Sequence, residues 1–350
     1  MASTVVEICD PARDSAIFAD FVAVSTRSAA ELNPSDPPPS ELELYGYFNL
    51  PADKKARFYV ALVDGAPVGF GYYEGESDPT DNMQMAAGDV WVAPEHRRHG
   101  LGRHLLSRIV EGMEADRQTS LLLYAPHYGD PDGSAGCFLG DAFATRFGLT
   151  ARQGERCSRA QRTDIDLDLM AEWIEGGRER AAGYRVELFT DPVPEEYLAG
   201  FLQAEAGMDD APMDDIDYTN WTRDAESYRE IEKFRREYGM RAQFALALSP
   251  DGEPAGSSSL FVQSDRPFLL YQGNTAVLGE HRGKALGRWL KAANYLAAAA
   301  MVPEHEVIET YNAQSNPWML DINTDMGFRP HHIFTAYQAD RAAIVAKLSA

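Results

Sequence analysis

Two short stretches carry residue types and spacing suited to holding a phosphate. In the first, Asp89–Leu106 (DVWVAPEHRRHGLGRHLL), Val90 and Val92 alternate with Asp89 and Trp91, as in a half-buried strand. Pro94 ends the alternation, and Arg97-Arg98-His99-Gly100-Leu101-Gly102-Arg103 leads into Leu105, Leu106, Ile109, Val110 and Met113, spaced along one face of a helix. A glycine turn at a helix start leaves backbone N–H groups unpaired at the positive end of the helix dipole, where a phosphate is welcome. The second stretch, Asn274–Leu290 (NTAVLGEHRGKALGRWL), repeats the pattern, with Glu280-His281-Arg282 standing where Glu95-His96-Arg97 stand. Here Ala285 replaces the first glycine, which reduces backbone freedom but keeps the N–H groups. Arg97, Arg103, Arg282 and Arg288 place a cation at either side of each turn.

Two other glycine-rich chemistries fail on the residue they need. A dinucleotide turn wants a third Gly or Ala, and Leu105 and Leu290 stand there. A P-loop wants Ser or Thr after Gly-Lys, and Ala285 follows Gly283-Lys284.

The repeat extends beyond the loops. Phe58-Tyr59-Val60-Ala61-Leu62 matches Phe244-Ala245-Leu246-Ala247-Leu248, Gly65 and Gly69 match Gly252 and Gly256, and Gly148-Leu149 matches Gly327-Phe328. Nearly the whole chain reads as two copies of one domain. The Val-x-Pro strand end followed by Arg-x-x-Gly-x-Gly resembles the acyl-CoA-binding motif of the GNAT superfamily of N-acetyltransferases. The doubled arrangement resembles the tandem two-domain acetyltransferases, mycothiol synthase among them.

The resemblance implies an α/β (α+β) fold of two GNAT-like domains, each a mixed, mostly antiparallel sheet flanked by helices. Boundaries are expected at 1–163 and 184–350, with a helical linker at 164–183. In each copy a first strand and helix (Val5–Cys9, then Ala16 to about Glu31) precede a hairpin such as Phe58–Val63 with Pro67–Tyr73. The motif strand and helix follow, then a strand (Thr119–Ala125), a helix (Cys137–Phe147) and a last strand. Phe334–Tyr337 and the helical tail Asp340–Leu348 close the chain.

The resemblance also implies acetyl-CoA, or another short acyl-CoA, as cofactor, its phosphates on the loop amides. That assigns Val92, Arg97, Arg98, His99, Gly100, Leu101, Gly102 and Arg103 to cofactor binding in the first copy. In the second it assigns Val277, Arg282, Gly283, Lys284, Ala285, Leu286, Gly287 and Arg288. In the family a later helix supplies an Asn to the CoA arm, and a Tyr seven residues on often protonates the departing thiolate. The second copy has Asn316 at the first of these positions but Asn323 at the second; the first copy has Cys137 and Ala144. The amide-rich run with Asn312 and Asn316 therefore puts the chemistry in the C-terminal copy. Asn274 and Glu309, one on each strand around the acyl group, are candidates to hold water or act as base. Tyr311 and Asn323 are the candidates on the proton-donating side. Asp210, within the aspartate-rich GMDDAPMDDIDY segment, is a candidate to bind an ammonium.

The composition agrees with this reading. Against 54 acidic residues stand 32 basic ones, a net charge of −22. That excludes a nucleic-acid binder and favours approach of a cationic small-molecule amine. No run suits a membrane span and no secretory leader is evident, so a cytoplasmic monomer or homodimer is expected. Cys9, Cys137 and Cys157 form no Cys-x-x-Cys pair, and no cluster has metal-ligand spacing in the sequence. The competing reading is a tandem GNAT protein that binds CoA as sensor or scaffold without turnover.

Overall fold

A computed structural model describes residues 2–9, 11–77, 84–127, 139–217 and 224–350. The chain forms two compact units, and they do not follow chain order. Unit 1 comprises 1–155, 213–219 and 332–350; unit 2 comprises 156–212 and 220–331. Boundaries drawn along the sequence at 163 and 184 differ from this division, because the last strand returns to the first unit.

Unit 1 contains β1 (Ser3–Ile8), α1 (Ala16–Leu32), α2 (Glu41–Gly46), β2 (Lys54–Val63), β3 (Ala66–Glu76) and β4 (Met85–Val92). It continues with α3 (Leu101–Ala115), β5 (Ser120–His127), α4 (Leu139–Arg146) and the start of β6 (Thr150–Gln161). Strands β1 to β4 pair antiparallel in sequence order. β4 runs parallel to β5 only over Met85–Gly88 against Ser120–Leu123, and the two then part. Alternation sorts β2 by face: Tyr59, Ala61 and Val63 meet α3, whereas Phe58 and Val60 meet Phe18, Phe21 and Val24 of α1.

Unit 2 continues from β6 into α5 (Leu167–Arg180), β7 (Arg185–Thr190), α6 (Glu195–Glu205), α7 (Ala225–Glu237), β8 (Met240–Leu248) and β9 (Pro254–Gln263). β10 (Leu269–Val277), α8 (Leu286–Met301), β11 (Val307–Ala313) and α9 (Pro317–Asp325) complete it. Its strand order is β6-β11-β10-β9-β8-β7. β10 runs parallel to β11 over Leu269–Gln272 against Val307–Thr310, and then these strands part as well. The expected polar linker is a packed helix: Met170 and Trp173 of α5 lie in the core with Tyr295 of α8. Gly177 permits the approach, since a Cβ there would meet Trp289 Cβ at 2.6 Å.

β12 (Arg329–Asp340) and α10 (Arg341–Ser349) end the chain. β12 pairs antiparallel with β5, Ile333 opposite His127 through Asp340 opposite Ser120. Residues 213–217 also belong to unit 1. Ile216 packs on Leu122 and Ala336, and the Asp217 backbone exchanges hydrogen bonds with the Gln338 amide at 2.9 and 3.0 Å. This half of the aspartate-rich run is pinned by an isoleucine between its charges. Among the described residues no helix is long and apolar enough to cross a membrane.

Candidate active site

Helices α1, α2, α5, α7 and α9 each begin with a side chain capping an N–H group. Helices α6 and α10 lack such a cap, and so do α3 and α8. The last two each follow a loop with two left-handed residues, Arg98 (φ 65°) and Gly100 (φ 87°) before α3, Gly283 (φ 80°) and Ala285 (φ 62°) before α8. The loops share one path and place their glycines at opposite turns of it. Buried Leu101 and Leu286 anchor the helix starts, leaving their first N–H groups for a ligand.

The loop arginines brace the turn. Arg97 Nε donates to Val92 O (2.8 Å), and its Nη2 donates to both oxygens of Glu31 on α1 (2.8 and 2.6 Å). Arg282 repeats the device, with Nε to Val277 O (2.9 Å) and Nη2 to Asp210 (2.5 Å). Asp210, the expected ammonium ligand, is thus an ion-pair partner at the loop. Arg103 donates to Leu348 O, and Arg288 pairs with Asp325 (2.7 Å). Lys284 donates to Glu280 O (3.1 Å) with its ammonium 6.0 Å from the Tyr184 ring centroid, and His99 Nδ1 lies 3.4 Å from His96 O. Arg98 is exposed.

The copies differ in the room beside the helix start. A Cβ on Gly102 would stand 3.0 Å from the Phe143 ring of α4. At Gly287 nothing lies closer than Val277 at 3.8 Å and Ile322 of α9 at 4.0 Å. They differ again in the motif strand. β4 pairs with β3 in unbroken register, whereas β10 carries an irregularity between Gln272 and Thr275 against β9. That bulge takes Gly273 and Asn274 out of the ladder where β10 leaves β11.

Around this parting the side chains sort by face. On the α6 face, Glu205 accepts from Ser257 Oγ (2.9 Å) and from Asn274 Nδ2 (3.3 Å). Buried Glu309 is paired with Arg159 Nε (2.5 Å) and accepts from the Tyr311 hydroxyl (2.8 Å). Enclosure of its hydroxyl, with the Glu309 charge adding to it, holds the Tyr311 phenol well above its ordinary range, although the residue as a whole is 40% exposed. On the α8–α9 face, Asn323 Nδ2 donates to Asn312 Oδ1 (2.7 Å), while the buried Asn323 Oδ1 meets no donor. Asn316 caps α9 by accepting from Met319 N (3.2 Å). The expected residues Asn274, Glu309, Tyr311, Asn312 and Asn323 therefore gather at the parting, on two faces of it. Cys137 lies outside the described residues.

Two residues at this parting stand outside the loop pattern, Glu205 and Arg159, and one lies within α8 itself, Lys291. Lys291, 1% exposed, occupies the position that Leu106 holds in α3. Burial alone lowers its amine to about 7. A leucine buried there contributes about 2 kcal/mol, whereas a buried ammonium costs several, so stability does not account for the lysine. In unit 1 the place of Asn274 is taken by Asp89, opposite Tyr72, and burial raises its carboxyl to about 6.

The groups of unit 2 fit an acyl-CoA. Uncapped N–H groups at α8 suit its phosphates, and the orphaned Asn323 Oδ1 suits an amide N–H of its arm. The acetyltransferase (GNAT) domain model matches residues 54–130. A tandem GNAT protein from the clavulanic acid biosynthesis pathway superposes over 97% of this chain and 99% of its own, with a TM-score of 0.76 at 23% identity. The chain has the tandem GNAT fold. A GCN5-related N-acetyltransferase from Sphaerobacter thermophilus covers 96% of both chains with a TM-score of 0.63 at 12% identity. No curated protein matches the chain. The matched GNAT segment runs from β2 past β5 and so contains the first glycine loop; the second lies outside it and is located by the internal repeat.

Proposed function

We propose that unit 2 is an acyl-CoA-dependent N-acyltransferase site that acetylates a primary amine of a small molecule by direct attack. The observation that carries this is the parted, bulged β10 with carboxylates on one face and paired amides on the other. The thioester supplies the activated acyl carbon. A protonated amine of pKa ~10 is only ~0.1% free base at neutral pH, so a proton acceptor beside it speeds attack. Glu205 fills that role, its oxygens oriented by Ser257 and Asn274. Glu309, matched by Arg159, orients Tyr311 within the same wall. The backbone freed by the bulge lies where an N–H group polarises the acyl carbonyl. The first unit, with Phe143 over Gly102, serves as scaffold or second CoA holder.

The reading predicts CoA thiol release from acetyl-CoA with some member of a small-amine panel. Glu205→Gln lowers kcat about a hundredfold while the KM for acetyl-CoA holds. Calorimetric CoA binding with no transfer to any amine would replace this reading by the sensor or scaffold one.

A further inference from the structure

The irregularity in β10 is stitched by a side chain of its own strand. Gly273 and Asn274 together oppose one β9 residue, Ser259, between the pairs Gln272–Leu260 and Thr275–Ser258. Buried Gln272 turns its Nε2 back on that gap and donates to Ser259 O (2.8 Å) and Gly273 O (3.2 Å). Two carbonyl partners fix that end of the side chain as the NH2. Ser258 Oγ and Thr275 Oγ1, 3.0 Å apart, flank the same nitrogen at 3.4 Å each, and Asn294 of α8 touches Ser258 Oγ at 3.5 Å. Among the described residues, the buried Gln272 oxygen meets no donor. A core that only had to fill space would not keep an amide with one end unmatched.

Unit 1 shows what the strand does without that side chain. Tyr73 opposes Gly88 and Tyr72 opposes Asp89, with no extra residue between the pairs. Gly88 thus stands where Gln272 stands, and a Cβ there would lie 2.2 Å from Tyr72 O, the counterpart of Ser259 O. The polar flank is replaced as well. Gly71 and Ile109 take the places of Ser258 and Asn294, with Ile109 Cδ1 3.2 Å from where a Gly71 Cβ would be.

From these contacts we infer that Gln272 is a positioning residue that holds the β10 bulge in place for the acyl carbonyl. The inference rests on the acyltransfer reading of unit 2. A carbonyl satisfied by a side chain does not draw a strand N–H back into the ladder, so β10 keeps its extra residue where it parts from β11. As the amine adds, negative charge gathers on the acyl oxygen, and a strand N–H held at a fixed place stabilises it. The same bulge sets the other wall of the site. Gly273 and Asn274, though consecutive, both face α6: a Cβ on Gly273 would meet the Phe261 ring at 2.7 Å, and Asn274 reaches Glu205 at 3.3 Å. One buried amide thus fixes both the strand N–H groups and the Asn274 contact that orients Glu205.

The decisive variant is Gln272→Met, which keeps the length of the side chain and removes its donors. Two readouts are taken on the whole protein: steady-state rates, and the infrared carbonyl stretch of bound, isotope-labelled acetyl-CoA. We expect kcat to fall about a hundredfold while the KM for acetyl-CoA stays within about twofold. We expect the bound carbonyl to absorb at lower frequency in the wild type than in Gln272→Met, since an N–H donor polarises it. Should Gln272→Met not fold, Gln272→Asn, which keeps the amide and withdraws it by a methylene, gives the same comparison. Unchanged kcat and stretch, with transfer intact, would overturn the role of Gln272 and leave the acyltransfer reading standing. A fall in kcat with the stretch unmoved would make Gln272 a packing residue and overturn the role as well. A lowered stretch that depends on Gln272, with no transfer to any amine, would support the positioning and overturn the acyltransfer reading. Failure of acetyl-CoA to bind the wild type would overturn both.

Discussion

Asn323 donates to Asn312 across 2.7 Å, joining helix α9 to strand β11 just beyond the point where β11 leaves β10. Its other amide atom, a buried oxygen, meets no donor. Leaving such an acceptor unmatched costs about 1–3 kcal/mol, and a ligand N–H recovers it. Asn323→Ala therefore weakens acyl-CoA binding about tenfold by calorimetry. Unfolding stability changes far less, because the variant also removes the orphaned oxygen.

The two loops before α3 and α8 make opposite predictions for the same backbone angle. Gly100 and Ala285 both adopt left-handed conformations before their helices. A Cβ on Gly100 would meet nothing within 4 Å, so Gly100→Ala costs about 1 kcal/mol of unit 1 stability from the backbone alone. Ala285→Gly relieves that strain, partly offset by unfolded-chain entropy, and raises unit 2 stability by about 0.5 kcal/mol. Denaturant titration of each variant reads both.

Asp89 gives a pH signature. Its folded carboxyl titrates near 6, raised by burial above an unfolded value of about 3.9. Below pH ~4 both states hold the proton and nothing is lost. Between ~4 and ~6 only the folded state keeps it, so stability falls as pH rises, and the loss is complete above ~6. Asp89→Asn removes that slope and stabilises unit 1 at pH 7 by about 1–2 kcal/mol, reduced from the full shift because the side chain is partly exposed. Unfolding midpoints at pH 4 and pH 7 test it.

Much of this fold was legible in the residues. The doubled loop, the hairpins and the apolar helix stripes follow from alternation and helical spacing, and they place β4 with α3 and β10 with α8. The return of β12 to unit 1 was not legible. Strand partners are set by tertiary packing, and the alternation of Phe334–Tyr337 fits either sheet. Nor does spacing reveal that Ile216 draws part of an acidic run into unit 1. At the site, Asn274, Glu309, Tyr311, Asn312 and Asn323 lie near one another because they sit on strands and a helix that the repeat locates. Glu205 was hidden at the end of a different helix, and Arg159 lies on a strand far away in sequence. Lys291 did leave a signal: a charge inside an apolar stripe, at the place where the other copy has Leu106. Arg97 and Arg282 look like phosphate ligands by charge and are paired with Glu31 and Asp210, which only the three-dimensional path of α1 and of the turn after α6 reveals.

The central claim, that acyl transfer from CoA occurs in unit 2, is tested most directly by a matched pair at the loops. His99 and Lys284 occupy the same position in the two copies, just ahead of the uncapped helix starts. His99→Glu and Lys284→Glu each place a carboxylate beside the candidate phosphate site, with CoA thiol release measured against acetyl-CoA concentration. With transfer in unit 2, Lys284→Glu raises the KM for acetyl-CoA about tenfold or more, while His99→Glu leaves it unchanged. The opposite pattern would move the reaction to unit 1, and absence of thiol release with every amine from the wild-type protein would contradict the account.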